Sequence, residues 1–225
     1  MSRLVAFGCS YTYGHGLEDC RYDGVKYTDD ELIKHPSQLA WPKLAADMLG
    51  MQCVNHSLCG VGNKFTAKRI AEFEFRPGDI AVIMWTIFTR HCVIMDDGNV
   101  VHLGAWQLDV EKTNTVENRI SCSYFTDAYT EANSIFENLA YINFADSVLK
   151  HSGVKHVHCS IGSQYHDIEL MPYLFERGHH WNRVKPALLF DDTRGRAEDG
   201  HPNEQSHSAF ADTLVEYIQT NSLTH

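Results

Sequence analysis

Apolar and polar positions alternate between two rhythms along the chain. Segments of strand type occur at residues 3–8, Gln52 to Asn55, Ile80 to Trp85, Val154 to Ile161 and Ala187 to Phe190. The run Ile80 to Trp85 is almost unbroken, the mark of a central strand covered on both faces. Between these runs apolar residues recur at helical spacing in Trp41 to Leu49, Gly62 to Phe75, Thr130 to His151 and His207 to Gln219. Gly50 closes the first of these helices and Pro77-Gly78 stops the second. Strands alternating with helices predict an α/β fold with a doubly wound, mostly parallel sheet.

Two stretches interrupt the alternation and read as insertions, at about 19–40 and 91–125. The second carries Asp96-Asp97-Gly98-Asn99, a hairpin turn between apolar runs, and few helical signals. No internal repeat, low-complexity segment or linker appears. A length of 225 residues suits one domain, 1–225, with a sizeable core.

The chemistry-bearing residues gather at the two ends of the chain. The first strand runs into Gly8-Cys9-Ser10-Tyr11-Thr12-Tyr13-Gly14, a turn that carries a serine among small residues. Asp199-Gly200-His201-Pro202-Asn203 precedes the last helical pattern. A serine hydroxyl is a poor nucleophile until a base takes its proton, and histidine is the usual base near neutral pH. A carboxylate then orients the imidazole. A serine just past a strand's C-terminal end stands where open α/β sheets bind ligands. Its backbone N–H, at a helix start, can stabilise an oxyanion.

These blocks resemble the SGNH (GDSL-type) hydrolase superfamily. The Ser10 segment is similar to its first block, Gly-Asp-Ser-x-Thr-x-Gly, and the segment 199–203 to its last. Asn55-His56-Ser57-Leu58-Cys59-Gly60-Val61-Gly62-Asn63 is similar to the second block. The resemblance spans the chain with its blocks in order. It implies a three-layer αβα sandwich of the flavodoxin-like kind. It also implies a serine ester hydrolase without a cofactor, acting on a small acyl or acetyl ester. Ser10 would be the nucleophile, His201 the base and Asp199 the acid, with Glu198, three before His201, as the competing carboxylate. The N–H groups of Ser10 and Gly60 would form the oxyanion hole.

The chain departs from the pattern at two places. Cys9 replaces the aspartate before the serine. The third block, Gly-x-Asn-Asp, has its strand at Ile80 to Trp85 but no asparagine after it. Thr86 or Thr89 could supply the missing donor; if neither reaches, the enzyme is intrinsically slow on simple esters. This gap leaves a second class open, a catalytically weak SGNH fold that binds glycans or another partner.

Further residues invite a role. Asn63 could contact substrate or cap the helix that follows it. Arg90 could bind an anionic substrate group or form an internal ion pair. Large aromatics such as Tyr11, Tyr13, Trp41, Trp85, Trp106 and Trp181 could line a sugar pocket, with core packing as the default. His179-His180 with His201 and His207 could suggest a metal, but an adjacent pair lacks the i, i+4 spacing and no metal is expected.

Composition narrows the classes. A formal net charge of −10 argues against a nucleic-acid partner. No apolar stretch reaches the roughly 18 residues of a membrane span. The chain enters a strand at once, with no signal-peptide pattern, which points to the cytoplasm. Seven cysteines, odd in number and without a Cys-x-x-Cys pair, read as free thiols.

Overall fold

A computed structural model describes residues 2–20, 35–104, 115–162, 184 and 186–223. The predicted strands form one sheet. β1 (Arg3–Phe7), β2 (Gln52–Asn55), β3 (Ile80–Trp85), β6 (Lys155–Ile161) and β7 (Leu188–Phe190) are all parallel, in the order β2-β1-β3-β6-β7. Alternation along each strand builds two cores. Leu4, Ala6, Ile80, Val82 and Met84 face α2 (Trp41–Met48) and α6 (Glu204–Thr220), meeting Trp41, Phe210 and Leu214. Val5, Phe7, Ala81, Ile83 and Trp85 face α3 (Asn63–Ala71) and α5 (Glu131–His151), meeting Ile70, Ile135, Leu139 and Ile142. Helices on both faces of a parallel sheet make the three-layer α/β sandwich that the resemblance implied.

The predicted hairpin is present as β4 (His91–Ile94) and β5 (Val100–Leu103), an antiparallel pair turning at Gly98. The region 91–125, whose sequence carries few helical signals, does contain a helix. α4 (Val116–Ser123) runs into a π-helical turn, Tyr124–Ala128. α4 lacks an apolar stripe: its buried residue is Ser121, while Val116 is exposed. α3 ends at Ala71, short of the predicted Phe75. Phe73 and Phe75 leave the helix and pack around Phe7 instead. The α6 helix starts earlier than predicted, at Glu204, because the Asn203 side chain accepts from the Ser206 N–H and caps it.

β1 and β3 are neighbours, and the chain leaves them for opposite sides of the sheet. Such a switch point opens a crevice beyond the carboxyl ends of the strands. Phe7 pairs with Ile83, so Ser10 and Thr86 each stand three residues past a paired position at this rim. Among the described residues no helix is long and apolar enough to cross a membrane.

Candidate active site

Ser10 opens the four-residue helical turn α1 (Ser10–Tyr13), with Cys9 in the N-cap position. The turn is closed by Thr12 and Tyr13 N–H donation to the Cys9 carbonyl. Ser10 is 3% exposed, and its hydroxyl has no hydrogen-bond partner among the described residues. Cys9 is buried in the core beside Trp41. Its side chain therefore belongs to the packing rather than to the crevice.

The late block folds as a self-bonded loop. Ala197 N–H donates to the His201 carbonyl, and Arg196 Nη1 donates to the Gly200 carbonyl. Gly200, at φ +83°, turns the chain so that Asp199 and His201 face each other. Asp199 Oδ1 accepts the His201 backbone N–H at 3.0 Å, an Asx turn. Its other oxygen lies 3.1 Å from His201 Nδ1. The two-residue spacing thus lets one carboxylate hold both the backbone and the ring. Glu198 is exposed and makes no ion pair with His201 among the described residues. The Oδ2–Nδ1 contact stands off the N–H axis. Catalytic hydrogen bonds are commonly loose before substrate tightens them.

The Asp199–His201 pair packs against the Ser10 turn on two sides. Tyr11 presents its ring to His201 at a centroid distance of 6.0 Å and donates its hydroxyl to Asp192. His15, one turn further on, lies with its ring centroid 4.6 Å from that of His201. His15 Nε2 is 3.4 Å from Asp199 Oδ2. Sequence reasoning missed His15. The signal was Gly14-His15-Gly16, where both glycines adopt φ near +85 to +90°. At Gly16 a Cβ would sit 2.7 Å from Asp199 Oδ1, so the backbone approaches the carboxylate as only glycine allows.

The second block reaches the same rim. His56 N–H donates to the Ala6 carbonyl and Leu58 N–H to Gly8, which ties this loop to the end of β1. Gly60 has φ +77°, left-handed backbone that suits glycine. Neither the Ser10 nor the Gly60 N–H is committed to another described residue.

Asn63 is not placed for either expected role. Gly62 holds the N-cap position of α3, and no side chain caps that helix. Asn63 is fully buried, and its amide spans the chain to the third block. Oδ1 accepts from the Thr86 N–H at 2.9 Å; Nδ2 donates to the Thr86 carbonyl at 3.1 Å and to Asn138 Oδ1 at 2.7 Å. Asn138 in turn donates to the Phe88 carbonyl. These two asparagines fix residues 86–88 against α3 and α5. Asn63→Leu is therefore expected to strand buried polar groups and to destabilise the fold by roughly 1–3 kcal/mol in chemical denaturation. An unchanged midpoint would contradict that assignment.

Thr86 is buried directly after β3, whereas Thr89 is exposed. Arg90 follows, its carbonyl only 2.3 Å from where a Cβ on Gly62 would lie. Its guanidinium helps lower the pKa of His201 and partly opposes the burial that raises that of the Cys59 thiol, which places its charge within electrostatic reach of the site.

Burial is the largest influence on His201 and lowers its pKa from 6.5; Asp199 opposes this, while His15 and Arg90 add to it. A base works deprotonated, so a lowered pKa moves the acid limb of kcat/KM below pH 6.5. A pH profile with its acid limb above 6.5 would remove His201 from the base role.

The remaining candidates lie elsewhere. His207 is fully buried in α6, where its Nδ1 accepts from the Trp41 N–H at the start of α2. Burial lowers its pKa to about 4, as suits a neutral acceptor. Tyr13, Trp41 and Trp85 are core residues. His179, His180, Trp106 and Trp181 lie outside the described residues. All seven cysteines are free. Three ligand-type atoms of His15, Asp199 and His201 lie within 4.8 Å of one another. A metal there would occupy His201 Nδ1, the nitrogen the carboxylate needs.

Asp146, His156 and His158 also bring three ligand-type atoms within 4.8 Å. There Trp85 Nε1 donates to His158 Nδ1 at 3.0 Å, so the other ring nitrogen carries the proton and faces Asp146. A metal-binding histidine donates its second nitrogen rather than accepting with it, so this set does not fit an ion.

No protein-family model and no curated protein sequence matches the chain. Solved structures do match. An acetyl xylan esterase from Butyrivibrio proteoclasticus superposes with a TM-score of 0.54 at 14% identity, over 97% of this chain and 64% of that one. A family two carbohydrate esterase from Clostridium thermocellum, in complex with cellohexaose, gives 0.51 at 13% identity, over 97% and 64%. A family 2 carbohydrate esterase with a carbohydrate-binding domain from Myceliophthora fergusii gives 0.53 at 13% identity, over 97% and 65%. This chain thus spans less than two thirds of the length of these esterases. The likeness is one of fold, the three-layer α/β sandwich shared with these esterases.

Proposed function

We propose that this chain, built on the SGNH hydrolase fold, is a serine esterase acting on a small acyl or acetyl ester. The observation that carries the reading is the packing of the Asp199–His201 pair against the helical turn of Ser10, through Tyr11 and His15. Ser10 Oγ attacks the acyl carbonyl and His201 Nε2 takes its proton. The C–O bond to the leaving alcohol breaks as His201 returns that proton to the alkoxide. Water, deprotonated by His201, then attacks the acyl-Ser10 carbonyl, and His201 returns that proton to Ser10 Oγ as the acid leaves. Asp199 orients the ring and stabilises the imidazolium. The N–H groups of Ser10 and Gly60 take the developing oxyanion, with the Thr86 hydroxyl as the candidate third donor. Arg90 is the candidate contact for an anionic part of the substrate. No step requires a cofactor.

A net charge of −10 disfavours nucleic acid as a partner. The acetyl xylan esterase among the structural neighbours makes acetylated sugars the first substrates to try. The second reading, a catalytically weak glycan-binding module, draws on the missing third-block asparagine. Turnover of p-nitrophenyl esters of increasing acyl length, followed by acetylated sugars, separates the two. Saturable hydrolysis that falls with acyl length supports the esterase; binding of oligosaccharide without turnover of any ester contradicts it.

A further inference from the structure

We infer that His15 is a positioning residue: it holds the Asp199 carboxylate in register with His201, and Cys59 in turn holds His15. The inference rests on the esterase reading for its catalytic meaning, and on geometry for the rest. His15 is 3% exposed, yet its ring bridges two loops far apart in sequence. Nε2 faces Asp199 Oδ2 at 3.4 Å, and Nδ1 lies 3.5 Å from Cys59 Sγ. Cys59 immediately precedes Gly60.

The acceptors assign the protons. An ionised carboxylate only accepts, so the nitrogens facing Asp199 Oδ2 carry hydrogen: Nε2 of His15 and Nδ1 of His201. Each neutral ring then has one lone pair left. That of His15 sits on Nδ1, opposite a thiol that burial keeps protonated. That of His201 sits on Nε2, the atom that must accept the serine proton. One line of groups, Cys59 to His15 to Asp199 to His201, therefore connects the oxyanion loop with the base. The close approach at Gly16 leaves Asp199 little room to turn away.

Among the described residues, the other charged and titratable groups around this line are Arg90, Cys9, Cys20, Tyr13 and His207, with the Tyr11 ring beside His201. Burial is the largest influence on His15 and lowers its pKa, so near neutrality it acts as a neutral donor rather than as a second cation.

The test compares His15→Gln and His15→Leu with the unaltered protein. A glutamine amide can still donate to Asp199; leucine cannot. With p-nitrophenyl acetate, His15→Leu is expected to lower kcat about tenfold with KM unchanged, the loss of one polar contact to a charged group. Its acid limb should move to higher pH, because Asp199, freed of one donor, holds the His201 imidazolium more tightly. His15→Gln should keep most of the rate and leave the limb in place. An NMR titration of the His201 ring reads the same coupling without turnover: a raised pKa in the leucine variant and none in the glutamine variant. Should His15→Leu fail to fold, His15→Asn replaces it, since the shorter amide stops short of Asp199 and should behave as leucine does. A His201 titration identical in all variants overturns the inference, and so does a glutamine variant as impaired as leucine. An inert wild type would remove the esterase reading, while the titration still decides whether His15 controls His201.

Discussion

Ser10→Ala is expected to abolish esterase activity, by roughly 10⁴–10⁶-fold in kcat, without loss of the fold. The size of the effect follows from the chemistry. Without the hydroxyl no acyl-enzyme can form, and only water activated by His201 remains. The effect on stability should run the other way. The Ser10 oxygen is buried without a hydrogen-bond partner among the described residues, a desolvated polar group that folding does not compensate. Replacing it with a methyl removes that penalty, so the thermal midpoint should be unchanged or higher. A residue kept at a cost to stability is what a nucleophile looks like. Retention of most of the wild-type rate in Ser10→Ala would end the serine mechanism, however well the variant folds.

Asp199→Asn is expected to lower kcat by about 10⁴-fold, and Glu198→Gln to change it little. Asparagine can still accept the His201 backbone N–H, so the turn that carries His201 should persist. What changes is the group at Nδ1. An amide can present its N–H₂ there, which favours the wrong tautomer and leaves the imidazolium without its counter-charge. Glu198 and Asp199 are both exposed, but of the two only Asp199 directs an oxygen to the ring among the described residues. Steady-state kinetics on one activated ester measures both variants. The reverse order of effects would transfer the acid role to Glu198.

Much of the fold was legible because the sheet is central and doubly covered. Ile80 to Trp85 are all buried, so the run is almost continuously apolar and, at strand length, reads as a strand covered on both faces. The hairpin at Gly98 was equally plain, since Asp96 to Asn99 has a turn chemistry of its own. α4 left no such trace. It buries Ser121 rather than an apolar stripe, and hydrophobic periodicity is silent about a helix that faces its neighbours with hydroxyls. The start of α6 was misjudged for a similar reason: the capping Asn203 lies inside the Asp-Gly-His-Pro-Asn block, where its role as a cap competed with the block's own meaning.

The chemistry was legible where spacing is local and obscure where it is not. Asp199 and His201 are two apart, and an Asx turn through Gly200 is enough to join them. The partners of Asn63 are Thr86 and Asn138, which only the packing of α3 against α5 and the end of β3 brings together. His15 was hidden in plain view between two glycines, a three-residue frame that reads as a turn. Its partners, Asp199 and Cys59, lie far apart in the sequence.

The central claim is that Ser10 is a nucleophile activated by His201. Labelling with a fluorophosphonate probe, followed by intact mass and peptide mapping, tests it most directly, because the probe reacts with an activated serine and needs no knowledge of the natural ester. One adduct per chain is expected, on Ser10, lost in Ser10→Ala and slowed in Asp199→Asn. No adduct on the folded protein, or an adduct on another residue that survives in Ser10→Ala, would contradict it.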